Sequence, residues 1–269
     1  MDLSIIIVTY NSSQHIVGLL DSIKNSPDQL HKEVIVVDNA SSDDTASQVS
    51  RHPLHPKLIK SKSNLGFAKG VNLGVKSATG EYLLLLNPDT RLVGNALSFL
   101  YKFATTTTPL GAVAPRLLNQ DGRPQASVYH FPTIWNAIKK DFFARRNSFG
   151  KYLPENRTQK VDVAVMAAFL IPRAIFTSLG GLNEKYFLYY EDFDFCKQLK
   201  LHNLPLYYLP SAKVKHAHGQ SGHFVFHLKS PLLASSKLYY GSFYSQLLNL
   251  VLWFGHKWQV ILRGKRFRD

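Results

Sequence analysis

Apolar residues crowd into four runs early in the chain, and polar segments with helical spacing separate them. Residues 3–9 (LSIIIVT), 33–38 (EVIVVD) and 58–60 (LIK) read as strands, the first two rich in β-branched residues. Residues 81–89 (EYLLLLNPD) carry consecutive leucines bounded by Gly80 and Pro88, the pattern of a strand buried on both faces. Between the runs, Ile16, Leu19, Leu20 and Ile23 repeat at helical spacing within residues 13–24. A polar turn at 39–44 can cap a helix beginning near Thr45, and residues 64–77 supply another helix. This alternation predicts parallel strands joined by right-handed crossovers, the first half of a doubly wound α/β sheet with helices on both faces.

The polar residues fall where the strands stop. Thr9-Tyr10-Asn11, Asp38-Asn39 and Asn87-Pro88-Asp89 stand at three strand ends. Open α/β sheets bind ligands at the carboxyl edge of their strands. Pro88 has no N–H to continue a ladder, which leaves Asp89 just past that edge. On the leucine stretch alone, a Pro-Asp turn explains the same residues.

After Asp89 the pattern loosens. Residues 96–104 are expected as a helix, 111–115 as a short strand, 161–171 as a strand and 205–209 as one more. Residues 119–160 mix glycine, proline, aromatic and basic residues with no period, as a lid or partner surface does. A helix is expected to start near Glu191. The resulting division is a domain over residues 1–225, with a nucleotide-binding half at 1–95 and an acceptor half at 96–225, followed by a helical basic segment at 226–269.

Composition narrows the setting. One cysteine, Cys196, excludes an intramolecular disulfide framework and suits a reducing cytoplasm. Residues 1–9 enter a strand pattern directly, so no signal peptide is predicted. The formal charge of +14 calls for an anionic partner. Part of it lies in Lys257, Arg263, Lys265, Arg266 and Arg268, which follow the apolar run 247–254. That run is shorter than the about 20 residues a membrane span needs. It matches a segment lying on an anionic leaflet, or else a terminal helix packed on the core with a solvated tail.

Several residues suit chemistry. Asp89 and His216 are a candidate pair for Mg²⁺ or Mn²⁺, since carboxylate oxygen suits both and imidazole suits Mn²⁺. A histidine beside a strand is also an ordinary structural residue, and His218 competes for the ligand role. Glu191, Asp192 and Asp194 complement a helix N-terminus. At about 100° per residue Glu191 and Asp194 share a face while Asp192 points elsewhere. One of these carboxylates, aimed into a cleft, is a candidate general base. Gly180, Gly181 and the aromatic run 186–190 would let a sugar approach and stack. Asp38 is placed to accept from a pyrimidine N3–H, and Asn64, Lys69 and Asn72 open a helix whose N-terminus attracts phosphate. Gly66 and Gly70 lack the spacing of a dinucleotide fingerprint.

Six segments in order resemble a known family: 7–11 (IVTYN), 36–45 (VVDNASSDDT), 64–72 (NLGFAKGVN), 86–89 (LNPD), 180–194 (GGLNE through EDFD) and 216–221 (HAHGQS). Together they are similar to family 2 glycosyltransferases of the inverting GT-A type, in the bacterial rhamnosyltransferase-like branch. The resemblance implies a GT-A fold and transfer of a hexose, with L-rhamnose from dTDP-rhamnose as the lead, to a lipid-linked or polysaccharide acceptor in cell-surface glycan synthesis. It assigns Asp192 as catalytic base, and Thr9, Tyr10, Asn11, Asp38, Asn64, Lys69, Asn72, Asn87 and Asp89 to the nucleotide-sugar. Asp89 and His216 take the metal, and Tyr190 and Glu191 the acceptor. Asn87 replaces the first acid of the family's Asp-X-Asp, Gln198 a basic residue after the Glu-Asp pair, and Ala167-Ala168 a Gly-Ala pair. Peripheral contact with the inner face of the plasma membrane is expected, and nucleic acid is not. A nucleotidyltransferase would show a glycine-rich first loop, whereas residues 12–15 (SSQH) have none, and a non-enzymatic basic binding protein would leave the polar strand ends unexplained.

Overall fold

The computed structural model describes residues 1–142, 150–217 and 229–266. The four apolar runs form β1 (Leu3–Thr9), β2 (Lys32–Asp38), β3 (Lys57–Lys60) and β4 (Tyr82–Leu86). They are linked by helices α1 (Ile16–Lys24), α2 (Thr45–Arg51) and α3 (Phe67–Val75). All four strands run parallel in the order β3-β2-β1-β4. Thr9 pairs in register with Asp38 and Ile7 with Leu86, so the polar residues after each strand arrive at one edge.

The second half of the sheet mixes directions. β5 (Thr90–Val93) was not legible in the sequence, because an exposed Arg91 interrupts a strand of only four residues. It is followed by α4 (Ala96–Thr106) and β6 (Ala112–Leu118). The expected strand over 161–171 breaks in two. A short β10 (Val163–Ala164) joins a small sheet, and β11 (Ala168–Pro172) runs antiparallel beside β4. The strand expected at 205–209 continues as β12 (Leu206–His216), with a register shift between Leu209 and Lys213 that lets it pass Pro210. The large sheet has the order β3-β2-β1-β4-β11-β6-β12-β5, with β9 (Gln159–Val161) also paired to β12. Residues 119–160 hold more structure than expected. They contain β7 (Val128–Tyr129), α5 (Ile134–Phe142) and β8 (Lys151–Tyr152), and the small sheet is β10-β7-β8.

Alternation along the strands builds two cores. Ile5, Ile7, Leu84 and Leu86 meet the buried faces of α1, α2 and α4. Ile6, Val8, Leu83 and Leu85 meet α3, α6 (Arg173–Ser178), α7 (Glu191–Leu201) and the small sheet. β1 and β4 are therefore apolar on both faces, which is why the sequence shows unbroken runs there. Two C-terminal helices, α8 (Lys229–Tyr240) and α9 (Ser242–Arg266), complete the described chain. α9 packs along α5, where the Tyr244 hydroxyl accepts from the Ile134 N–H at 3.0 Å.

Leu84, fully buried in β4, is the test of this core. Leu84→Ala is expected to cost about 2–5 kcal/mol in denaturant unfolding. A loss within the scatter of ordinary surface substitutions would place β4 outside the cooperative core.

Candidate functional site

A cleft of about 670 Å³ opens over the carboxyl edge of the parallel strands. Thr9, Tyr10, Asn64, Asn87, Tyr190, Glu191, Asp192 and His216 all line it. Residues up to more than two hundred positions apart in sequence thus meet in one cavity.

The pairing of β12 with β5 creates its base. His216 pairs with Thr90, and the Ala217 N–H donates to the Asp89 carbonyl at 3.0 Å. Asp89 Oδ1 then lies 3.5 Å from His216 Nε2, with the two residues 4% and 7% exposed. His216 Nδ1 is 2.8 Å from Gln125 Oε1. Two donors bonded to one divalent ion at about 2.1 Å sit less than about 4.2 Å apart, so this carboxylate and imidazole fit a shared Mg²⁺ or Mn²⁺. Among the described residues no group of three or more His, Cys, Asp or Glu forms a metal cluster. Asn87, where the family pattern has an acid, lines the cleft as a neutral amide. His218, the competing ligand, lies outside the described residues.

Across the cleft stands the start of α7. Tyr189 and Tyr190 hold φ of 71° and 69°, a left-handed conformation that bulky residues rarely adopt. Such backbone persists only where its surroundings over-determine it. Here α8 does so. The Ser235 hydroxyl donates to the Leu188 carbonyl at 2.9 Å, and the Tyr190 ring packs on Phe193, Tyr239 and Tyr240 with centroids 5.4–5.7 Å apart. The turn brings both Glu191 and Asp192 into the cleft, while Asp194 faces Asn183 at 3.5 Å. The face assignment from helical spacing is thereby corrected. Spacing alone takes no account of the left-handed entry, which orients the first turn.

Burial pushes the Asp192 carboxyl up from its ordinary range, against the opposing pull of the Phe193 N–H and the Lys151 ammonium. Glu191 rises further, through burial and the neighbouring Asp192 charge. Lys151, also lining the cleft, is lowered by desolvation, an effect the Asp192 charge opposes.

The other residues expected at the nucleotide-sugar divide. Asn64 lines the cleft and its Oδ1 accepts from the Gly66 N–H at 2.9 Å. Gly66 holds φ of 82°, and a Cβ there would collide with the Phe187 carbonyl, so only glycine closes this wall. Asp38 does not reach the cleft wall. It accepts from Thr9 Oγ1 at 3.1 Å and Ser41 Oγ at 2.5 Å, and the next residue, Asn39, lines the cavity instead. Asn39 Nδ2 donates to the Gly66 carbonyl at 3.0 Å, while its buried Oδ1 has no hydrogen-bond partner among the described residues. Asn11 is turned to the β2 loop, where its Oδ1 accepts from the Ser42 N–H at 2.8 Å. Asn72 clasps Leu182 through both amide atoms, at 2.8 and 3.0 Å. Gly181 holds φ of 76°, and a Cβ there would collide with Asn72 Oδ1. Lys69 is exposed on α3, away from the cleft lining. Sequence reasoning did not single out Asn39, Tyr129, Lys151 or Gln125 as site residues. Only Asn39, at a strand end, carried a signal.

Among the described residues, the mixed sheet with a parallel first half, helices on both faces and a cleft at its carboxyl edge has the architecture of the GT-A class. The family model described as glycosyl transferase family 2 matches residues 4–179, and the chain belongs to that family. It is 31% identical over 207 residues to the low-salt glycan biosynthesis hexosyltransferase Agl10 of Haloferax volcanii, covering 76% of this chain and 63% of that protein. It is 28% identical over 245 residues to the rhamnosyltransferase WbbL of Escherichia coli, covering 84% and 89%. The N-acetylglucosaminyl-diphospho-decaprenol L-rhamnosyltransferase of Mycobacterium tuberculosis is 26% identical over 233 residues, covering 80% and 75%. In fold, the chain is similar to a Pyrobaculum calidifontis mannosyltransferase solved with GDP-Man and Mn²⁺, with a TM-score of 0.64 at 17% identity over 97% of this chain and 75% of that one.

The raised Asp192 pKa has a thermodynamic consequence. A carboxyl whose folded pKa exceeds its unfolded value subtracts from stability once ionised, and the penalty fades as pH falls through the folded pKa. Asp192→Asn is therefore expected to melt at or above the wild type at neutral pH, with the gap closing in acid. A variant that melts well below wild type at neutral pH would show the carboxylate to be a structural anchor.

Proposed function

We propose that the chain is an inverting glycosyltransferase that moves a sugar from a nucleotide-sugar to an acceptor hydroxyl in cell-surface glycan synthesis, with a divalent cation at Asp89 and His216. The observation that carries this reading is that Asp192 and His216 line one cleft while Asp89 lies 3.5 Å from the imidazole. Asp192 takes the proton of the acceptor hydroxyl, and its raised pKa makes it a stronger base than an ordinary aspartate. The freed oxygen attacks the anomeric carbon from the face opposite the diphosphate. The bond from that carbon to the diphosphate oxygen breaks, its electron pair leaves with the nucleoside diphosphate, and the proton stays on the carboxyl. Bound at Asp89 and His216, Mg²⁺ or Mn²⁺ would supply positive charge to the leaving diphosphate. Thr9, Tyr10, Asn64 and Asn87 form the donor wall, and Tyr190 and Glu191 face the acceptor. The relatives named rhamnosyltransferase make L-rhamnose from dTDP-rhamnose the donor to test first.

A lipid-linked acceptor fits the outer surface. α9 exposes Phe243 (80%), Leu247, Leu250, Trp253 and Phe254, and the Lys257 ammonium lies 4.1 Å from the Trp253 ring. No helix among the described residues is long and apolar enough to cross a membrane. An apolar stripe beside lysines is suited to lie on the anionic inner leaflet. Exposed Leu232 on α8 also lines the cleft, linking that side of the protein to the site.

With dTDP-rhamnose, Mn²⁺ and a lipid-linked acceptor, wild type is expected to release dTDP, and Asp192→Asn to lose that release by at least about 100-fold. In the wild type, kcat/KM should fall toward acid with an apparent pKa above the ordinary aspartate range. A folded Asp192→Asn chain turning over normally would remove the base. Flotation with vesicles is expected to carry the wild type on anionic but not zwitterionic lipid, and Phe243→Ser with Trp253→Ser to abolish it. Equal flotation on both lipids, or none, would contradict the electrostatic leaflet contact.

A further inference from the structure

The imidazole of His216 is held by a residue that no motif marks. After β6 the chain turns at 119–123, with Gly122 at φ 84°, and Pro124 bridges back to Leu118. The Gln125 N–H donates to the Leu117 carbonyl at 2.8 Å, which fixes the next side chain beside the end of β12. Gln125 is buried there, and each of its amide atoms is engaged. Nε2 donates to Asn119 Oδ1 at 2.9 Å and to the His216 carbonyl at 3.4 Å. A backbone carbonyl only accepts, so this contact sets which end of the amide is which. Oε1 must therefore face His216 Nδ1, at 2.8 Å, and an amide oxygen accepts only from an N–H. The proton of the neutral imidazole belongs on Nδ1, and the lone pair belongs on Nε2, turned toward Asp89 Oδ1 at 3.5 Å.

We propose that Gln125 is the positioning residue of the cation site: it holds His216 as the Nδ1–H tautomer, so that Nε2 is ready to ligate a divalent ion together with Asp89. The proposal rests on the reading of Asp89 and His216 as that site. Gln125 touches neither donor nor acceptor and acts only through the imidazole. A ligating histidine commonly donates its second ring N–H to an oxygen, which orients the ring and raises its basicity. Here a side-chain amide plays that part, anchored by the very strand that carries the histidine.

Two measurements test it. Histidine-nitrogen NMR of the metal-free wild type at mildly alkaline pH, with His216 assigned by its loss in His216→Ala, is expected to show the proton on Nδ1. A proton on Nε2 overturns the proposal. Mn²⁺ binding in the presence of dTDP, read by electron paramagnetic resonance, is then compared across variants. Gln125→Leu is expected to weaken Mn²⁺ by about 10–100-fold. Gln125→Glu, which keeps an oxygen facing Nδ1 but loses the donors to Asn119 Oδ1 and the His216 carbonyl, is expected to retain Mn²⁺ binding more fully than His216→Ala. If Gln125→Leu binds Mn²⁺ normally while His216→Ala does not, the role of Gln125 is wrong and the cation site stands. If His216→Ala also binds normally, the cation site itself fails. Should Gln125→Leu not fold, the wild-type tautomer and the Gln125→Glu affinity decide.

Discussion

The pairing of β12 with the short strand β5 governs the site. β5 begins directly after Asp89, and β12 ends at His216 opposite Thr90, so one ladder sets the distance between carboxylate and imidazole. Backbone hydrogen bonding, His216 opposite Thr90 and the Ala217 N–H on the Asp89 carbonyl, brings the two residues side by side. On the proposed reading, side chains set on a sheet ladder would need little reorganisation when an ion binds. The parallel half contributes the rest, because its strands stop at one level and present Thr9, Asn39 and Asn87 at a common edge.

The opposite wall follows another logic. Two consecutive left-handed tyrosines, a buried Glu191 and a half-buried Asp192 are unfavourable locally, of order 1–3 kcal/mol for each strained residue. They persist because α8 packs against them through Tyr239, Tyr240 and Ser235. The C-terminal helices thus support the cleft while α9 exposes apolar side chains outward. The unfavourable elements coincide with the proposed base and acceptor wall, where strain and raised pKa values serve function.

The parallel half was legible in the sequence because β1, β4 and most of β2 are buried on both faces and leave apolar runs, while β3 shows only a short Leu58-Ile59 core between lysines. The second half was not. β5 has an exposed Arg91, β12 passes Pro210 with a register shift, and the small sheet is made of two-residue strands that leave no periodic signal. For the site, residue types were readable at the strand ends but their bonding was not. Asp38 and Asn39 are neighbours with the same prospects in sequence, and only the hydroxyls of Thr9 and Ser41 decide that the amide faces the cavity. Asn11 and Asn72 are polar residues in suggestive positions that prove to tie loops together. Gln125 reaches His216 across ninety-one positions, a relation no spacing rule contains.

Anomalous diffraction at the manganese edge, from crystals grown with Mn²⁺ and dTDP, tests the central claim most directly. The account expects one strong peak within bonding distance of both Asp89 Oδ1 and His216 Nε2, in contact with the diphosphate and facing Asp192 across the cleft. A peak held by other residues, or a diphosphate seated in the cleft with no metal beside that pair, would contradict it.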